Sequence, residues 1–146
     1  MKQPHHILAV RIAHPVWTLF LLALALAVDH TGIVRLGLLC SCLHECGHLL
    51  VWVLLTRLPP TLIICPTGFC LSLRGVVLAP KQFIILAAAG PAVNLLMAIG
   101  WAAMFKLDTL IPRNVYTLPL AEMSRVGINV NLVLMVLNLL PLPPLD

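Results

Sequence analysis

His44-Glu45-Cys46-Gly47-His48 is the stretch of this chain whose residue types and spacing could do chemistry. It reads H-E-x-x-H. On a helix, residues four apart share a face one turn apart, so both imidazoles can reach one metal ion. Glu45 lies about 100° round the helix from His44, beside the ion rather than on it. That is where a general base for a metal-activated water is wanted. Gly47 leaves room for backbone or substrate to approach. The competing reading is a buried polar contact between helices. A catalytic zinc ordinarily takes three protein ligands and keeps one position open, so two histidines do not complete a site. The acids are few. Asp29, Asp108 and Glu122 read as loop residues, and Asp146 follows the proline run Pro141, Pro143 and Pro144. Those prolines would unwind the chain and let a carboxylate turn inward. Cys40 shares the histidine stripe, and a thiolate is a good zinc ligand. Three ligands at i, i+4 and i+8, however, spread over about 12 Å of helix, against a reach of about 2.0–2.3 Å from the ion. Cys40 is therefore read as packing, as are Cys42 and Cys46, which point away from the histidine face.

The elements that must position these residues follow from the composition. The 146 residues are 61% hydrophobic and 10% charged. Soluble domains run near 45–50% apolar and about 25% charged. This balance excludes a disordered chain, a nucleic-acid-binding domain and a secreted disulfide scaffold, and makes lipid the solvent. The net charge of +4 is spread along the chain as loop charge. The 5 cysteines are odd in number with no extracellular framework, which favours reduced thiols. Apolar runs at 15–28 (with 7–12 leading in), 33–55, 82–105 and 126–142 give four helices. The expected fold is an all-α polytopic membrane protein with about four transmembrane helices, formed as a single domain over 1–146. The first run has no cleavage site after it and is not a signal peptide. Gly90-Pro91 is expected to break the third helix near its middle. Residues 107–124 are expected to form a loop with one interfacial turn. Between helices two and three, 62–65 and 69–73 read as a short membrane-associated β-strand or hairpin bracketed by Gly68 and Gly75. Its edges cannot face lipid. Lys2 and Arg11, with Arg57, Arg74 and Lys81, place the N-terminus and the 56–81 loop in the cytoplasm, although Lys106, Arg113 and Arg125 run against the pattern.

Three motifs together carry a resemblance. HECGH at 44–48, GPAVN at 90–94 and NLLPLPPLD at 138–146 resemble, in order, the signatures of the site-2 protease family of intramembrane zinc metalloproteases. Ile12-Ala13-His14-Pro15 before an apolar helix is similar to the start of its sporulation-type branch. The resemblance covers nearly the whole chain. It implies one zinc ion per chain, held by His44, His48 and Asp146, with Glu45 as general base. It implies that Asn94, in the GPxxN motif with Gly90 and Pro91, sits near the site and helps hold substrate or stabilise the intermediate. The segment from Gly68 to residue 75 would pair with an unwound substrate. The implied function is hydrolysis of a peptide bond within or near a transmembrane segment, as in regulated intramembrane proteolysis of a transcription or sigma factor precursor. The implied partners are a membrane-anchored protein substrate, the lipid bilayer and a regulatory membrane protein, with no nucleic acid. The implied location is a multi-pass cell-membrane protein whose active site opens toward the cytoplasm. The family pattern continues past the aspartate with glycine and a further helix, so the domain is expected to be shortened at its C-terminus.

Two other classes stay open. One is an inactive relative that binds membrane partners without cutting them. The other is a metal transporter, which would need polar groups along a path, whereas here they converge at one depth. The remaining polar residues have plain readings. His5, His6, His14 and His30 are solvated or interfacial. Arg35 snorkels to the headgroups. Asn129 and Asn131 are interhelical contacts, and Asn138 belongs to the end that delivers Asp146.

Overall fold

A computed structural model describes residues 9–65, 68–72, 76–110 and 117–139. The elements in order are β1 (Ala9–Ile12), α1 (Pro15–Ala27), α2 (Ile33–Thr56), β2 (Thr61–Cys65), β3 (Gly68–Ser72), α3 (Pro80–Leu110) and α4 (Thr117–Leu139). The fold is the expected all-α membrane type with a small sheet between the second and third helices. Three helices are long and apolar enough to cross a membrane: α2, the Pro80–Leu107 part of α3 and the Leu120–Leu139 part of α4. The 13-residue α1 is apolar but extends only about 20 Å, short of a hydrocarbon core of about 30 Å.

Burial is inverted relative to a water-soluble protein. Among the described residues, the buried apolar set is Cys40, Trp52, Leu86 and Ala98. The buried polar set is larger and includes Asp29, His44, Glu45, His48, Asn94, Ser124 and Asn131. Large side chains such as Trp17, Phe20, Leu50, Ile84 and Leu96 face outward. With lipid outside, apolar burial gains little, and the interior is held by close packing and polar contacts between helices. Two glycines show how close. A Cβ at Gly47 of α2 would come within 2.7 Å of Val93 and 2.9 Å of the Ala89 carbonyl on α3. A Cβ at Gly127 of α4 would overlap the Trp101 ring of α3.

The sheet has the order β1-β2-β3. The hairpin is antiparallel, with Ile64 opposite Phe69 and Cys65 opposite Gly68, as expected from the alternation and the glycine. The strand β1 corrects the expectation that 7–12 lead into the first helix. It pairs parallel to β2, with Ala9 opposite Thr61 and Ile12 opposite Ile64. Ala13 N–H extends the ladder to the Ile64 carbonyl at 2.8 Å. His14 then turns the chain in the left-handed region, φ 47° and ψ 60°, and Pro15 opens α1. The Thr18 hydroxyl donates back to the Ala13 carbonyl at 2.7 Å, which fixes α1 to the sheet.

Two more expectations are corrected. The third helix runs unbroken through Gly90-Pro91. Proline removes one N–H there, a loss that membrane helices tolerate. The stretch 107–124 is mostly helical, because α3 continues to Leu110 and α4 begins at Thr117. Pro119 falls in the first turn of α4, where a missing N–H costs nothing.

The turn between α1 and α2 is built on Asp29. Its carboxylate accepts the Val34 N–H at 3.3 Å, the Arg35 N–H at 3.1 Å and the Arg35 Nε at 3.1 Å. Arg35 Nη2 donates to the Asp29 carbonyl at 3.2 Å. Arg35 therefore bonds to this turn, a partner the headgroup reading did not give, while its side chain stays 66% exposed. The carboxylate satisfies the first orphan N–H groups of α2 and faces the positive end of its dipole. Burial alone would raise the Asp29 carboxyl, but the hydrogen bonds from Arg35 and Val34 and the guanidinium charge outweigh it and hold it below the usual range. A depressed folded value means the stabilisation is present above the unfolded pKa, about 3.9, and is lost as pH falls through the folded value. Asp29→Asn should therefore unfold at a lower temperature than the parent at pH 7 in detergent. The gap should be smaller at pH 3, below the unfolded value of about 3.9. A gap of equal size at both pH values would show that the carboxylate charge is not what holds the turn.

Candidate metal centre

The 24-residue α2 begins at Gly32, in the left-handed region at φ 78°, and ends at Arg57, also left-handed at φ 58°, just before Pro59-Pro60. These stops set its register. Cys40, His44, Glu45, Gly47, His48 and Trp52 form its buried face. The i, i+4 spacing does what the sequence implies. The Nε2 atoms of His44 and His48 converge to 3.1 Å, and the rings meet edge-on with centroids 4.8 Å apart. Two ligand atoms on a tetrahedral zinc, each about 2.0–2.1 Å from the ion, lie about 3.3 Å apart, so the pair is within a few tenths of ligating separation.

The far sides of the rings are also held. His48 Nδ1 donates to the Leu86 carbonyl of α3 at 2.8 Å. This outer contact fixes the tautomer that puts a lone pair on Nε2, the form a metal ligand needs. His44 Nδ1 faces Asn94 Nδ2 of α3 at 2.9 Å, and Asn94 is fully buried. Gly90 lies directly over the pair, and a Cβ there would overlap His44 Nε2, His48 Nε2 and His44 Cε1. The space beside both ligand nitrogens therefore exists because residue 90 has no side chain. Glu45 is buried, at 8% exposure, one residue along from His44. The two nitrogens, the gap at Gly90 and the outer hydrogen bonds fit a zinc ion that takes its remaining ligands from elsewhere. Among the described residues, no group of three or more His, Cys, Asp or Glu side chains is placed to share an ion. Asp146, the expected third ligand, lies outside the described residues, as do residues 73–75 of the expected substrate-pairing segment.

The structure thus brings His44, Glu45, His48, Gly90 and Asn94 together. Pro91 is buried next to Gly90, and Gly68 begins β3, an edge strand of the sheet that packs against α2. Of the other acids, Asp29 is committed to Arg35, and Glu122 is exposed on α4. Cys40 is fully buried and accepts a 3.3 Å contact from Asn131 Nδ2 of α4, which also donates to the Gly127 carbonyl at 2.8 Å. Cys42 and Cys46 are exposed, as expected. Asn131 makes the interhelical contact expected of it; Asn129 is exposed and does not. Sequence reasoning did not find the Leu86 carbonyl, because any residue can supply a backbone acceptor. It placed Asn94 near the site but gave no sign that its partner is His44.

The comparisons agree with this picture at the level of fold. No family model matches the chain, and no curated protein matches it. Among solved structures, the chain is similar in fold to a protease. That structure is the site-2 protease from Methanocaldococcus jannaschii, matched with a TM-score of 0.59 at 17% identity, over 98% of this chain and 66% of the other. The chain thus spans just under two thirds of that protein's length.

Proposed function

We propose that the chain is an intramembrane zinc metalloprotease that hydrolyses a peptide bond within or near a transmembrane segment of a membrane-anchored protein. The observation that carries this reading is the converging Nε2 pair of His44 and His48, with Glu45 buried beside it, inside a helix apolar enough to span a bilayer. The site-2 protease fold supports it. The finer assignments rest on the motifs: a single domain over 1–146, a sporulation-type enzyme acting in regulated intramembrane proteolysis of a transcription or sigma factor precursor under a regulatory membrane protein, and a multi-pass cell-membrane location with the site open to the cytoplasm.

His44 and His48 would hold the ion, and Asp146 would close the site from the end of α4. A bound zinc supplies Lewis acidity to the scissile carbonyl and to water. Glu45 takes the proton of the attacking water and passes it to the leaving amine. A substrate helix has all its amides paired, so it must unwind before attack. The outer edge of β3, beginning at Gly68, offers main-chain hydrogen bonds to the unwound segment. An apolar groove of about 400 Å³ between α1, α2 and the hairpin, walled by Leu22, Leu38, Ile64 and Phe69, adjoins this strand.

The reading is tested with purified protein, metal analysis and a model transmembrane substrate. About one zinc per chain and zinc-dependent cleavage are expected. Zinc without cleavage of any membrane substrate would move the chain to the binding relatives, and no zinc at all would remove the site. The third ligand is tested separately. Cys40→Ser should keep the metal and Asp146→Ala should lose most of it; the reverse result would place the third ligand on α2.

A further inference from the structure

We propose that Asn94 is the orienting partner of His44, and that its side-chain amide turns over when the metal binds. The inference rests on the zinc reading above and changes the role of Asn94 from holding substrate to positioning a ligand.

With both rings neutral, the directions of the three hydrogen bonds described above follow from one atom. The Leu86 carbonyl can only accept, so His48 Nδ1 carries the hydrogen of their 2.8 Å bond. In a neutral imidazole the other nitrogen is then a lone pair, so His48 Nε2 accepts. Its neighbour at 3.1 Å, His44 Nε2, must therefore donate. His44 Nδ1 is then the lone pair, and it accepts from Asn94 Nδ2 at 2.9 Å. The amide orientation agrees with this series: Nδ2 faces the ring, and the buried Oδ1 has no hydrogen-bond partner among the described residues.

Ligation removes the bond between the rings and reverses the last link, between His44 and Asn94. Both Nε2 atoms must offer lone pairs to one ion, so the hydrogen on His44 Nε2 has to leave. The ring stays neutral by carrying a hydrogen on Nδ1 instead, exchanged through solvent, with no net change in protons. Nδ1–H then needs an acceptor. Asn94 holds one in its unpartnered Oδ1, and a half-turn of the amide delivers it. Asparagine suits the position because it presents a donor to one tautomer and an acceptor to the other. Asn94 is fully buried, with its amide on a ligand ring. It therefore acts through His44.

The test uses the full chain in detergent, with Zn²⁺ affinity read by chelator competition for the parent, Asn94→Leu and Asn94→Asp. Loss of an outer-shell partner typically weakens metal binding by about 10–100-fold, and Asn94→Leu should show a loss of that size. Asn94→Asp is an acceptor only, holds the ligating tautomer and should bind at least as tightly as the parent. Nitrogen-15 NMR of the histidine rings should find the His44 hydrogen on Nε2 without metal and on Nδ1 with Zn²⁺. Equal affinities in all three proteins, with a raised KM in Asn94→Leu, would return Asn94 to the substrate and overturn the proposal. A metal-free His44 already carrying its hydrogen on Nδ1 would overturn the turning of the amide. A parent protein that binds no Zn²⁺ would instead refute the metal reading itself. Asn94→Asp, nearly the same shape as the parent, keeps the comparison intact if the leucine variant does not fold.

Discussion

Glu45→Gln is expected to keep the zinc and to lower peptide hydrolysis by about 10²–10⁴-fold, the usual contribution of a positioned general base. Glutamine preserves the size of a buried side chain, so folding should not be at stake. The ion should not need Glu45, because the residue lies off the stripe that carries the two converging Nε2 atoms. Glutamine cannot accept the proton of the attacking water, and the loss should fall on kcat. Metal content and turnover measured on the same preparation separate the two roles. Turnover near that of the parent would mean that another group is the base. Loss of zinc along with activity would make Glu45 part of the coordination.

Gly90→Ala should empty the site. The added methyl would occupy the space over His44 Nε2 and His48 Nε2, where a shared ion has to sit. The clash also falls on the α2–α3 contact, because Gly47 of α2 already lies against Ala89 and Val93. The rings it would meet are held from behind by the Leu86 carbonyl and Asn94. The expected result is a fall in zinc affinity at least as large as the 10–100-fold or so that follows loss of an outer-shell partner. Gly100→Ala on the same helix is the control. A Cβ at Gly100 meets nothing within 4 Å, so that variant should bind zinc and fold as the parent does. If both variants kept the metal, the ion would not lie between Gly90 and the two imidazoles.

How much of this was legible in the chain depends on the range of the interaction that decides each feature. The α2 helix was readable nearly to the residue, since apolar continuity and Pro59-Pro60 are local signals. The histidine pair was readable because i, i+4 proximity is a property of any helix. The hairpin was readable from its alternation and from Gly68. The strand β1 was not, because a run of four to six apolar residues looks the same leading a helix or joining a sheet. Its identity is decided by Thr61–Cys65, far along the chain. The start of α4 was hidden because Pro119, Glu122 and Arg125 look like loop residues, yet proline is tolerated in a first turn. Arg35 gave no sign of its partner, because the tight turn that brings Asp29 back to it exists only once both helices are formed. The tautomers at the site depend on a backbone carbonyl, which has no signature in sequence.

The parallel pairing of β1 with β2 has a consequence for biogenesis. Ala9 cannot meet Thr61 until both intervening helices have left the ribosome and entered the bilayer. Antiparallel neighbours can zip up through a tight turn, but a parallel pair must close the whole intervening loop, an entropic cost borne late in assembly. β1 can join the sheet only once β2 has emerged, because β2 is the partner its ladder needs. Docking also requires β1 and β2 to lie on one side of the membrane. A topology that put β1 and β2 on opposite sides would leave β1 with no ladder to join. The sheet thus ties the chain before α1 to the chain after α2, and the pairing holds only where both ends of that helix pair lie on one side of the membrane.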